Sequence, residues 1–352
     1  MMKYKVSILS FVGSILFYSC ASNKTEMTNY TKVETQSLLN EKISIRAILT
    51  DDNYLWYAGD NGNYGKINLK TNEVSKFKIQ SDTIVNEIRS IAQTKEYIFL
   101  LPVANPANVY KISKKDNSQK IVYTEVNEKA FYDSMQFKDE INGMAMGDPT
   151  NNCLSVIVTN DGGNSWRKIN CDNLPKVVEG EAAFAASNSN LMLEKSKSFM
   201  VSGGKKSRLF ASDDFGKTWQ VYNTPIIQGE EMTGIFTADF YNDKIGFIAG
   251  GNYMKPNDNT NNKAITFDGG KTWKLVANSE GFGYGSCVQF VPKSSGKALV
   301  AVGANGIQYS NDFGNSWKQL NEDKELYTIR FLDSKTAFAA GRNKIIKLNF
   351  TE

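Results

Sequence analysis

An eight-residue phrase occurs four times in the chain, at 159–166 (TNDGGNSW), 212–219 (SDDFGKTW), 266–273 (TFDGGKTW) and 310–317 (SNDFGNSW). Each copy carries Ser or Thr first, Asp third, Gly fifth, Ser or Thr seventh and Trp eighth. This is the chemistry of a β-hairpin turn: the aspartate accepts backbone N–H groups, the glycine takes a positive φ, the hydroxyls tie the loop, and the indole folds back over it. The aspartates at 161, 214, 268 and 312 stand 53, 54 and 44 residues apart, the length of one four-stranded propeller blade plus a variable loop.

Apolar strand pairs extend the pattern beyond the boxes, from Ser44 (SIRAILTDDNYLWYAGDNG), from Glu87 (EIRSIAQTKEYIFLLP) and from Leu326 (LYTIRFLDSKTAFAAGRNKIIKLNF). Counting these with the boxes predicts an all-β, seven-bladed β-propeller with Asp-box hairpins, preceded by a lipoprotein signal peptide. Residues 41–350 shared among seven blades give about 44 residues each, an ordinary blade length. The last blade shows three obvious strands, so the run TKVETQSLL from Thr31 is expected to supply a fourth and close the ring.

The chain opens with MMKYKVSILSFVGSILFYSC, a charged start, an apolar stretch at 6–18 and then Ser19-Cys20. That is the pattern of a signal peptide, too short to remain as a membrane-spanning helix. The domain division is therefore 1–19 signal peptide, 20–34 tether lipidated at Cys20, and 35–352 a single propeller. A cell-envelope protein held by a lipid anchor to a bacterial membrane is expected. Export implies an oxidising compartment. Cys153 and Cys171 flank the first box, so folding it as a hairpin sets them opposite each other and predicts a disulfide; Cys287 is left as a buried thiol.

Composition narrows the chemistry. The 352 residues include no histidine, which removes Ser-His-Asp and Cys-His sites and histidine-ligated metals. No metal site and no cofactor motif is recognised. The net charge of +4 falls to +2 without Lys3 and Lys5, too little for sustained contact with a phosphate backbone, so nucleic acid is not an expected partner.

The four phrases resemble the Asp-box, or BNR, repeat found in sialidases, sortilin-type receptors and the photosystem assembly factors called Ycf48-like proteins. WYAGDNG in the first blade is similar to a recurring Ycf48-like phrase. GMAMGDP (143–149), GEAAFAASN (180–188), FIAGGNY (247–253) and GYGS (283–286) resemble uncharacterised exported bacterial members loosely labelled oxidoreductases. The resemblance implies a rigid binding or assembly platform, monomeric, for an envelope protein or a small anionic ligand; in Ycf48-like proteins an arginine-lined surface engages the partner.

Three of the six arginines, Arg46, Arg89 and Arg330, fall in first strands of consecutive blades, where they would face the central channel and grip a carboxylate or phosphate. The competing expectation pairs each with an acid such as Glu87 or Asp333. Asn188, Tyr253, Tyr284 and Ser286 are further candidates for ligand contact on or just after inner strands. Glu181, with Asp148 or Asp133, could supply the two carboxyls of a glycosidase, the alternative reading; an oxidoreductase with an unidentified cofactor is the other enzymatic possibility. Asp161, Trp166, Asp214, Trp219, Asp268, Trp273, Asp312 and Trp317 are assigned to structure.

Overall fold

The protein is seen in a computed structural model that describes residues 1–2, 29–81, 85 and 87–352. Most of the expected signal peptide, and the expected lipidation site Cys20, lie outside the described residues. Among those described, β-strands account for nearly all regular structure, interrupted by single 3-10 turns at Asp60–Gly62 and Cys171–Asn173.

The strands pair into six antiparallel sheets, which corrects the expectation of seven blades. Four sheets have four strands each, starting at Ile88–Gln93, Tyr132–Phe137, Leu191–Leu193 and Gly285–Phe290. A fifth runs through Thr233–Phe240, Gly246–Asn252, Lys263–Thr266 and Lys274–Leu275, and takes in the short pair Glu181–Ala182 and Gly203–Gly204. The sixth joins the two ends of the chain. Lys32–Thr50 is a single unbroken strand of 19 residues. Its first half pairs with Thr336–Thr351 (Lys32 opposite Thr351, Asn40 opposite Lys344), and its second half with Tyr54–Gly59 (Thr50 opposite Leu55). The regions that the sequence reads as first and last blades are therefore one continuous six-stranded sheet.

This pairing supplies the closure expected from the segment after Thr31, and it begins within the stretch assigned to a tether, since residues 32–34 are already in the ladder. Joining the termini this way removes an exposed strand edge at the seam. The innermost strands touch one another in chain order, and Leu326–Phe331 returns to Lys32–Thr50, so the sheets surround a central channel.

Cores lie between neighbouring sheets. Ala47, Trp56 and Ala58 from one sheet pack against Ile88, Ile91, Ile98 and Leu100 of the next, all essentially inaccessible. Each aliphatic side chain so buried contributes about 1.5–3 kcal/mol. At the periphery the boxes form the predicted turns. Asp161 accepts the Thr159 hydroxyl at 2.8 Å, the Asn164 and Ser165 amides at 2.9 and 3.1 Å, and the Ser165 hydroxyl at 2.6 Å. Asp214, Asp268 and Asp312 repeat the pattern. Burial alone would raise the Asp161 carboxyl, but these hydrogen bonds outweigh it and hold the group at about 2.

The fifth-position glycines Gly163, Gly216, Gly270 and Gly314 have φ between 72° and 84°, and a Cβ on Gly270 would sit 2.0 Å from Leu209. The indole N–H of Trp219, Trp273 and Trp317 closes each turn onto the fifth-position carbonyl at 3.0–3.1 Å. Cys153 and Cys171 form a disulfide across the first box, and Cys287 is a buried free thiol.

Candidate functional site

One local irregularity recurs on the inner strands. Each of six carries a one-residue bulge at its channel-entry end, leaving Arg46, Arg89, Asp133, Phe236, Ser286 and Tyr327 outside the ladder register. A bulge breaks the alternation of a strand and re-aims the extra side chain. These residues therefore form a ring set by backbone geometry.

The ring corrects the grouping of the three arginines. Arg46 and Arg89 occupy equivalent bulges, but the equivalent in the strand Leu326–Phe331 is Tyr327. Arg330 stands three residues further on, roughly 10 Å deeper at about 3.3 Å per residue.

The channel is filled by the chain itself. Residues 183–190 bond to inner strands on every side, which places them in the space those strands enclose. Asn188 accepts the Met135 amide at 2.9 Å and the Ser134 hydroxyl at 3.2 Å, and donates to the Ile91 carbonyl at 2.8 Å. Ser187 donates to the Ser286 carbonyl at 2.7 Å, and Ser189 to Thr237 at 2.8 Å. All three candidate arginines do converge, but on carbonyls of this plug. Arg89 donates to Ala185, Arg46 to Ala186, and Arg330 to Ser187 and Asn188, at 3.4, 3.2, 2.9 and 3.2 Å. The small residues of AAFAAS fit a narrow bore that larger side chains would overfill.

Above the plug a cavity of about 390 Å³ is lined by Arg46, Arg89, Phe184, Ala185, Ala186, Phe236, Tyr253, Tyr284 and Tyr327. Phe184 stacks on Phe236 with centroids 4.0 Å apart, Tyr253 and Tyr284 stand edge-on to Phe236 at 6.0 and 4.8 Å, and the Arg46 guanidinium lies 4.1 Å over the Tyr327 ring. Burial, followed by the neighbouring Arg89, lowers Arg46 from its usual value, although an arginine keeps its charge in a protein. Burial raises Tyr284, against the pull of Arg46 and a hydrogen bond with Ser286, so its hydroxyl stays protonated. A polar cleft of about 760 Å³ adjoins and shares Arg46 and Tyr327.

Of the sequence candidates, Arg46, Arg89, Tyr253 and Tyr284 come together here. Ser286 is buried below, donating to the Tyr327 carbonyl at 2.7 Å, while Asn188 and Arg330 belong to the plug. The expected alternative partner Glu87 does bind: Arg89 grips one oxygen with Nε and Nη2 at 2.9 and 2.7 Å, and Arg46 Nε lies 3.9 Å from the other. Phe184, Phe236 and Tyr327 escape a sequence reading: Phe236 and Tyr327 occupy the bulge position of Arg46 and Arg89, and Phe184 belongs to the plug.

Asp148 and Glu181 line one cleft of about 510 Å³, but the Glu181 side chain is inaccessible there and Asp133 stands outside the lining. Glu181 is clamped by Arg208, with Nε and Nη2 at 2.8 and 2.5 Å, and takes Ser202 and the Val178 amide besides. Asp133 is wholly buried. Burial first, then the Asp148 carboxylate, pushes Asp133 well up, against the pull of Arg89. Burial lifts Asp148 to about 6, although the amide of Ala183, 2.8 Å away at the start of the plug, works against it. Deeper, near Arg330, burial raises Asp239 to about 7, opposed by the Phe290 amide.

An acid raised in the folded state binds its proton more tightly there than when unfolded. The Asp148 contribution to stability is therefore present at pH 4 and is lost as pH climbs through about 6. Asp148→Asn is expected to gain roughly 1–3 kcal/mol at pH 7 and nothing at pH 4, read from urea midpoints at the two pH values. Equal effects at both would show that Asp148 is not held protonated.

These features define a β-propeller carrying BNR/Asp-box repeats. The BNR/Asp-box repeat family matches residues 264–275, within the third phrase and its flanking strands. Among solved structures, "YCF48 bound to D1 peptide" is similar with a TM-score of 0.66 at 14% identity, covering 95% of this chain and 100% of that one. YCF48 from Cyanidioschyzon merolae gives 0.66 at 11% identity, over 90% and 98% of the two chains. U3-55K gives 0.64 at 11%, with the same coverage. Comparison with curated proteins finds none that matches.

Proposed function

We propose that this chain is a cell-envelope lipoprotein, anchored through Cys20, whose propeller presents a binding or assembly platform for a protein or a small anionic ligand. The observation that carries the reading is the convergence of Arg46 and Arg89 with five aromatic rings on one cavity at the channel mouth. Concave sites of this size, mainly apolar with a few placed polar groups, are what ligand recognition uses. The plug supports the reading further, because it gives the cavity a fixed floor and leaves binding to the mouth. The similar YCF48 structure with a bound peptide is consistent with a protein partner.

Catalysis is the weaker reading, since Glu181 is committed to Arg208 and Asp133 lines none of the cavities described.

Arg46→Gln/Arg89→Gln protein, which keeps donors for the plug carbonyls, should lose at least tenfold in capture of its partner or ligand from envelope extract, since buried charge pairs at an interface are worth about 2–5 kcal/mol. Undiminished capture by the folded double variant would end the proposal. For the anchor, wild-type protein should partition with membranes and take up labelled fatty acid, and Cys20→Ser should do neither.

A further inference from the structure

The two arginines of the cavity share a counter-ion that stands outside the lining, and this bears on what the cavity selects. Arg46 and Arg89 are the charged residues lining it, and Glu87 stands against both guanidiniums, further tied by the Ser44 hydroxyl at 3.1 Å. Two cations and one anion leave a single net positive charge. Arg89 is already committed, with Nε and Nη2 on Glu87 and Nη1 on Ala185. Arg46 keeps unused donor capacity at Nη2, since its Nη1 is spent on Ala186 and its Nε is buried without a partner. One guanidinium with a free donor suits one carboxylate; a phosphate dianion would find one of the two cationic charges already offset by Glu87.

The remaining walls are rings. Phe184, Phe236, Tyr253, Tyr284 and Tyr327 offer faces and edges on which a flat apolar group packs edge-on or offset. Resting on the binding role given above, we infer that the cavity takes an aryl monocarboxylate, its ring among these five side chains and its carboxylate on Arg46, and that Glu87 is the specificity residue that disfavours dianions. Such a group has two sources. It is either a free aromatic acid or the carboxyl-terminal aromatic residue of a chain, whose preceding residues would leave over the adjoining cleft beside Arg46 and Tyr327.

The test is calorimetric titration of the purified protein at pH 8 with 3-phenylpropionate, 3-phenylpropionamide and phenyl phosphate. The acid should bind at least about tenfold tighter than the amide and than the phosphate dianion, the size of one charge-assisted contact. Glu87→Gln, which keeps the hydrogen bond to Ser44, should narrow or reverse the gap between phosphate and acid. Equal binding of acid and amide, or a phosphate preference untouched by Glu87→Gln, overturns the inference. So does absence of binding by every aryl probe; if capture from extract still depends on Arg46 and Arg89, the platform reading survives that loss. A heptapeptide ending in Phe with a free carboxyl, compared with its amidated form, separates the sources. Tighter binding of the free peptide than of 3-phenylpropionate supports a chain end, and weaker binding supports a free acid.

Discussion

Glu181→Ala is expected to lower stability by about 3–5 kcal/mol, the usual loss when one partner of a buried ion pair is removed. The Glu181 side chain is 0% exposed and Arg208 only 14%. Each oxygen of the carboxylate takes a guanidinium N–H, one also takes the Ser202 hydroxyl and the other the Val178 amide. Alanine would strand a buried guanidinium and two further donors at once. Urea unfolding would register the loss as a drop in midpoint with little change in slope. The double replacement Glu181→Ala/Arg208→Ala should recover part of it, because the second change removes the stranded charge. A single variant within about 0.5 kcal/mol of wild type, the range of ordinary surface substitutions, would mean that the pair is solvated and Glu181 free for other work.

Asn188→Ala should be comparably damaging, by about 3–5 kcal/mol, because it leaves the Met135 amide and the Ile91 carbonyl unpaired inside the channel at about 1–3 kcal/mol each. Asn188 also has φ 56°, a left-handed conformation that asparagine tolerates better than alanine. The same residue holds the plug to two inner strands, so the variant should weaken the cavity floor as well as the fold. Aryl-acid binding should therefore fall even at temperatures where the protein remains folded. Asn188→Asp keeps an acceptor for Met135 while losing the donor to Ile91, and should fall between wild type and alanine. Loss of stability with intact ligand affinity would separate the plug from the site.

The sequence carried the periphery better than the centre. An Asp box closes within eight residues, so Asp161 and its counterparts could be assigned from residue types alone. The hairpin cysteines followed from the same local turn. The channel is different, because its features depend on register across long separations. SIRAI, EIRSI and TIRF look alike, yet a bulge places Tyr327, not Arg330, beside Arg46 and Arg89. A bulge leaves no mark in side-chain alternation when the neighbouring residues are buried on both faces. The number of sheets failed for a related reason. Nothing in residues 32–50 announces a strand that serves two neighbours without a break, so two expected blades are one sheet. The plug was legible only as an oddity: GEAAFAASN is too small and too polar at its ends for a core strand. In fact only Glu181 and Ala182 of it are in a strand, and the rest runs irregularly through the bore. Glu181, expected as a glycosidase carboxyl, is instead buried against Arg208, which lies 27 residues away on another strand.

Residues 183–190 occupy the channel and floor the cavity at its mouth. Hydrogen–deuterium exchange of the Met135 and Ala183 amides tests this most directly, because their acceptors are the side chains of Asn188 and Asp148. If the plug is seated as described, both amides exchange only with global unfolding, and Asn188→Ala speeds Met135 selectively. Exchange of both at the rate of exposed loops would contradict the filled channel and, with it, the site built above it.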